Sequence, residues 1–223
     1  HYINRAPFSD GRLGKAMVVS IDKATTIKMY DKVKAAWKTK LANIKTQAKV
    51  ATGSRLNKFN FQIEHMSSMD MAVIVSGGQN DDERLTKKGL NYKPHRERFL
   101  KEKMDEKFKD PEDDLRIVFV CAMWLTGFDA PAVSTLYLDK PLKSHTLMQT
   151  IARANRVYAG KSAGQIVDYI NIFSSLQQAL GLYGGGVDEG GTNYNVDSPA
   201  KDKSELVTAL GIATGELQVF LNS

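Results

Sequence analysis

Five short apolar runs constrain the fold of this 223-residue chain more than any other feature. They are residues 16–20 (AMVVS), 71–76 (MAVIVS), 115–121 (LRIVFVC), 135–139 (TLYLD) and 164–170 (GQIVDYI). Each is rich in Val, Ile or Tyr and shows little polar alternation. A strand with one wet face alternates, whereas a strand covered on both faces does not, and parallel sheets are built from the second kind. Helical patterns lie between several of the runs. Asp22 is predicted to cap a helix reaching to about Ile44, with Ile27, Val33, Trp37, Leu41 and Ile44 near one stripe. Pro94 opens a second helix with Leu100, Met104 and Phe108 spaced by four, and Pro111 lies beyond its end. Ser144 is expected to cap a third, over residues 145 to about 158. Strands alternating with helices predict an α/β domain with crossover connections.

The hydrophobic share of 42% is enough for a core, and 25% charged residues argue against disorder. A net charge of +6 is compatible with a nucleic-acid partner without requiring one. Residues 38–58 are basic and read as a solvated helix end. The single cysteine, Cys121, leaves no internal disulfide and no multi-cysteine metal site, and it reads as a small buried hydrophobe. His65 and His95 lack partners at metal-ligand spacing and read as surface residues. No apolar run approaches a membrane span and no signal peptide opens the chain, so a cytoplasmic protein without a membrane partner is expected. The start at His1 and the end in a helix read as a fragment of something larger.

Past residue 171 the composition changes. Residues 173–183 look helical, Gly184-Gly185-Gly186 follows, and a Gly- and Asn/Asp-rich loop extends to Pro199 before a last helix with Leu206, Leu210, Leu217 and Leu221. The expected division is one domain over residues 1–182, then a flexible loop and the start of a C-terminal helical region over 183–223.

Two stretches carry chemistry. Met123-Trp124-Leu125-Thr126-Gly127-Phe128-Asp129-Ala130-Pro131 follows a strand directly, and ligands in open α/β sheets bind beyond the carboxyl ends of strands. Gly127 permits a positive φ or a close ligand, Asp129 offers an acceptor for a ribose hydroxyl, and Thr126 offers a hydroxyl and an amide to a phosphate. In residues 149–156 (QTIARANR), a helix would put Gln149, Arg153 and Arg156 on one face, with Leu147, Met148, Ile151 and Ala152 on the buried side. Two guanidinium groups and an amide suit a triphosphate. Taken singly, each stretch is better explained by a plain reading: a tight turn for the first and a solvated basic helix face for the second.

In sequence order, TGFDAP after a strand, a further strand, then Q-x-x-x-R-x-x-R resembles motifs V and VI of superfamily 2 helicases. More closely, MWLTGFDAP, TLYLDKPL and HTLMQTIARANR followed by VDYI resemble the restriction subunit of type I restriction enzymes, over residues 12 to about 182, with GKAMVVS at the motif IV strand. The resemblance implies the second of two RecA-like lobes that clamp ATP and Mg2+ and move duplex DNA. It places Arg153 and Arg156 at the γ-phosphate, Arg156 as the arginine finger, Gln149 as a nucleotide sensor, and Gly127 and Asp129 near the ribose. Thr126 and Ser20 would meet the phosphate backbone, and His145 either touches DNA or starts its helix. Implied partners are duplex DNA, a first motor lobe and nuclease domain in the same subunit, and methyltransferase and specificity subunits. Another superfamily 2 translocase, or a non-catalytic α/β interaction module, is the alternative.

The chain departs from the family pattern at Ala122, where an acidic residue is frequent before the Met-Trp pair, and this puts any coupling role of that carboxylate in doubt. Ala152 replaces the helicase glycine, as in the restriction-type variant. Gly11 and Gly14-Lys15 lack the GxxxxGK[ST] spacing of a phosphate loop, with Ala16 in place of the hydroxyl. Neither an acidic DEAH-like motif nor a nuclease constellation is evident. By itself the chain is expected to hold half of a composite site.

Overall fold

The computed structural model describes residues 1–4, 8, 11–142, 144–161, 163–170 and 172. At its centre is a five-stranded sheet whose neighbouring strands all run parallel. A 3-10 turn (Tyr2–Asn4) precedes β1 (Lys15–Ser20), α1 (Lys23–Ala48), α2 (Gly53–Ser68), β2 (Asp70–Ile74), α3 (Asp81–Thr86), α4 (Lys93–Lys101) and α5 (Met104–Lys109). Then come β3 (Leu115–Val120), β4 (Val133–Asp139), α6 (Ser144–Ala154) and β5 (Gln165–Asp168). The spatial order β2-β3-β1-β4-β5, flanked by helices, is the α/β arrangement expected from the strand–helix alternation and is consistent with the RecA-like fold that the resemblance implies. The chain divides into two compact units, His1–Asn171 and Ile172–Ser223, and these elements belong to the first. The expected helices and loop of residues 173–223 lie outside the described residues.

The missing polar alternation has its cause in the layers. Strands β1, β3 and β4 are almost wholly buried. Register sets Met17 beside both Val118 and Leu136, so these share one face, while Ala16 beside Ile117 faces the other. On that second face Val18, Ile117, Phe119 and Val73 pack with Ile27 and Tyr30 of α1 and Phe59 and Met66 of α2. Full burial of a side chain such as Ile27 or Phe119 contributes about 1.5–3 kcal/mol. β5, at the sheet edge, is only half-buried.

Asp22 caps α1 as predicted: its Oδ1 accepts the Thr25 N–H at 2.7 Å. That hydrogen bond holds the Asp22 carboxyl below the usual carboxylate range. The helix continues to Ala48, and its later turns rest on α2, where Trp37 Nε1 donates to the Met66 carbonyl at 3.1 Å. α2 was hidden in the sequence because only Phe59, Gln62 and Met66 are buried on it. The helix expected to run from Pro94 through Phe108 is two helices. Glu102 breaks it with extended backbone and is gripped by Arg98 at 2.9 Å and Lys107 at 2.9 Å. These contacts press the Glu102 carboxyl down to about 2. Rotation at the break buries Met104 and Phe108 but leaves Leu100 67% exposed, so the spacing by four does not carry one face through all three.

Candidate functional site

The connection from β3 to β4 determines where the first motif falls. Both strands flank β1 in parallel, so residues 121–132 return from the carboxyl end of the sheet to its amino end. No helix forms on the way. At the carboxyl end Lys140 Nζ donates to the Cys121 carbonyl at 2.6 Å, and at the amino end Lys15 N donates to the Ala132 carbonyl at 2.8 Å. The motif is therefore split. Thr126, exposed, lines a cleft of about 260 Å³ with Lys140, Leu142 and Thr146 at the carboxyl end. Asp129, four residues before β4, belongs to the amino end, contrary to the expectation that the whole stretch projects beyond the carboxyl ends.

Two left-handed residues shape the crossover. Gly127 has φ +68°, the conformation its residue type anticipated, and Trp124 has φ +66°, which bulky side chains rarely adopt. Trp124 lies flat on Phe128, with centroids 4.2 Å apart and planes 6° apart, and Phe108 of α5 stacks beside both. Trp124 is thus half-buried, packed against Phe108 and Phe128.

α6 carries the second motif, with a buried side different from the one predicted. Leu147, Thr150, Ile151 and Ala154 are buried at helical spacing, whereas Ala152 is exposed and Met148 intermediate. Arg153 is also buried, 8% exposed, and its Nε and Nη1 have no hydrogen-bond partner among the described residues. Burial, then the neighbouring Arg156, push its pKa down, while Asp129 opposes them. Gln149 lies one turn earlier and is exposed, with Nε2 3.5 Å from His145 Nε2. His145 is exposed at the start of α6. The Ser144 side chain lies outside the described residues.

The helix ends at Ala154, so Arg156 does not share its face with Gln149 and Arg153 as periodicity implied. It lies in the following segment, 54% exposed, with Nη1 3.1 Å from Asp129 Oδ2. Neighbours that local sequence did not reveal brace this segment. Asn155 Oδ1 accepts the Gly164 N–H at 3.1 Å, and Lys161 Nζ donates to the carbonyls of Pro131 at 3.0 Å and Val133 at 2.9 Å. A Cβ at Gly164 would stand 2.3 Å from the Ala154 carbonyl oxygen, so only glycine fits against the helix end. Arg153, Arg156 and Asp129 are thereby brought together. Gln149 and His145 stay on the solvent side of α6. Ser20 ends β1 fully buried, its Oγ unpartnered among the described residues, so that hydroxyl reaches no solvent here.

A larger cleft of about 720 Å³ opens on the α1 side of the sheet among Tyr2, Met29, Trp37, Tyr137 and Tyr169. None of the candidate nucleotide- or DNA-site residues named from the sequence lines it. Among the described residues no group of His, Cys, Asp and Glu is placed to hold a metal ion, and no helix is long and apolar enough to cross a membrane.

Residues 13–171 match the family described as type I restriction enzyme subunit R domain 3. The chain is 37% identical over 171 residues to a putative type I restriction enzyme MjaIXP endonuclease subunit of Methanocaldococcus jannaschii, covering 76% of this chain and 13% of the relative. It is 45% identical over 116 residues to the type I restriction enzyme HindI endonuclease subunit of Haemophilus influenzae, covering 49% of this chain and 11% of the relative. The chain therefore corresponds to a small part of the length of these relatives.

Proposed function

Since the chain belongs to the type I restriction enzyme R-subunit family, we propose that it is the second motor lobe of such a subunit. In this role it completes an ATP site and grips duplex DNA during the translocation that precedes cleavage. One observation carries the reading: Arg153 is a buried cation with two nitrogens unpartnered among the described residues, near a second arginine. A desolvated, unpaired guanidinium costs several kcal/mol unless an anion meets it. Phosphate is the anion whose shape and charge match a guanidinium fork.

Arg153 would hold the triphosphate from its fixed place on α6. Arg156, half-exposed and borrowed by Asp129, is free to move onto the phosphoryl group being transferred, where a guanidinium neutralises developing charge. Asp129, released by that movement, can accept a ribose hydroxyl, with Gly127 keeping the crossover turn open beside it. Gln149 would sense the nucleotide from the exposed side of α6, and Thr126, with His145 nearby in sequence to Thr146, would face DNA. ATP supplies the phosphoryl group and the energy. Mg2+ would be held by the first lobe, together with the phosphate loop this sequence lacks. Assembly with a nuclease domain and with methyltransferase and specificity subunits belongs to the same proposal.

The test is the affinity of the complete subunit for a non-hydrolysable ATP analogue. Losing charged hydrogen bonds worth about 1.5–3 kcal/mol, Arg153→Ala should bind roughly tenfold to a hundredfold more weakly. Unchanged affinity would remove Arg153 from the site.

A further inference from the structure

The charge of this chain is concentrated in one hairpin. Residues 23–58, which form α1 and the start of α2, contain ten Lys and Arg and one acid, Asp31, while the rest of the chain has 21 basic and 24 acidic residues. Apart from Lys23, all of these basic residues are exposed, and none of the exposed ones forms an ion pair among the described residues. Lysines elsewhere on the surface do find acids, as Lys87 does with Glu83 and Lys103 with Glu106.

Spacing arranges part of this charge into a line. Lys34, Lys38, Lys45 and Lys49 follow one another by four, seven and four positions, so they lie along one stripe of α1 and its cap. At 1.5 Å per residue the stripe is about 22 Å long. That is roughly the rise of six base pairs of duplex DNA, which carries a charge every 1.7 Å of axis. Between the stripe and Lys28 and Lys32 the helix presents Ala35, Thr39, Ala42 and Thr46, all exposed and small, together with one exposed acid, Asp31, seven residues before Lys38. Like charges four apart destabilise a helix, and Lys28/Lys32, Lys34/Lys38 and Lys45/Lys49 are three such pairs without a neutralising partner. The helix dipole favours the last pair but not the first two.

We propose that the exposed lysine stripe of α1 is a docking surface for the sugar–phosphate backbone of duplex DNA, separate from the Thr126 cleft. Lys34 Nζ donates to the Tyr30 hydroxyl at 2.7 Å, while Lys38, Lys45 and Lys49 extend as ammonium groups among small neighbours, an arrangement that suits a row of phosphates. A protein partner would instead favour aromatic and apolar anchors, and lysine is depleted from such interface cores. The inference rests on the proposed encounter with duplex DNA and adds where the backbone lies.

The experiment measures binding of the complete subunit to a random-sequence duplex by fluorescence anisotropy across a salt series. In the variant Lys34→Gln, Lys38→Gln, Lys45→Gln and Lys49→Gln, the slope of log affinity against log salt should fall by about 3–4, at about 0.9 per phosphate contact. Affinity at low salt should fall at least tenfold. A control carries Lys87→Gln, Lys101→Gln, Lys103→Gln and Lys109→Gln, which removes the same charge elsewhere and should keep most of the slope. Equal losses in both variants, or an unchanged slope in the first, overturn the stripe while leaving the motor-lobe reading intact. Normal DNA binding with lost subunit assembly in the first variant would assign the stripe to an acidic protein surface, and also overturns it. If the wild-type subunit binds no duplex at low salt, the DNA-gripping reading itself fails.

Discussion

Arg156 Nη1 lies 3.1 Å from Asp129 Oδ2, joining the segment after α6 to the β3–β4 crossover. The two side chains are each 54% exposed. An ion pair so open to water contributes under about 1 kcal/mol. Its value lies in placement: it holds Arg156 near the buried Arg153.

Asp129→Asn follows directly from that geometry. Folding stability, read from a denaturant midpoint, should change by less than about 1 kcal/mol. DNA-stimulated ATP turnover in the complete subunit should fall by about tenfold or more, equivalent to about 1.4 kcal/mol or more of barrier. A large stability loss with unaltered turnover would make the pair a structural staple instead.

Trp124 makes a prediction about backbone strain. A left-handed conformation costs a non-glycine residue about 1–2 kcal/mol, and here the flat contact with Phe128 offsets it. Trp124→Ala loses the stack but keeps the strain, whereas Trp124→Gly loses both. The glycine variant should therefore be more stable than the alanine variant by about 1 kcal/mol in paired denaturant titrations. Equal stability, or the reverse order, would show that the crossover relaxes when the indole is removed.

Lys15 supplies a pH dependence. It is fully buried at the start of β1, donates to the Lys107 carbonyl at 2.7 Å and lies over the Phe108 ring at 5.4 Å. Burial, then Arg116, push its pKa from 10.5 down to about 8, with Asp113, Asp110 and Asp114 opposing. Because the folded value is the lower one, the unfolded chain binds more protons between about pH 8 and 10.5, and stability gains from this group as pH rises through that window. Below pH 8 the penalty of the buried charge is present in full. Lys15→Met should flatten that part of the stability profile relative to wild type. An identical slope in the two proteins would mean that Lys15 does not titrate there.

Much of this architecture is legible in local patterns. Unalternating apolar runs announced the parallel strands, and Asp22 announced the start of α1 through a contact only three residues long. The positive φ of Gly127 was readable from residue type. Long-range contacts were not. Periodicity carried the last helix past Arg156, but Gly164 closes on the Ala154 carbonyl and Asn155 takes the Gly164 N–H, which ends the helix from nine residues away. Asp129 likewise follows a crossover whose direction depends on β3 and β4 both pairing with β1. The same limit applies at Glu102, where Arg98 and Lys107 clasp a break inside an otherwise helical pattern.

The central claim is that this domain supplies the arginines of a composite ATP site, and the turnover of Arg156→Ala in the complete subunit tests it most directly. An arginine finger is worth about 10³–10⁵ in rate, so DNA-stimulated ATP hydrolysis should fall by about a thousandfold or more, with subunit assembly and duplex binding retained. Wild-type turnover in that variant would contradict the account.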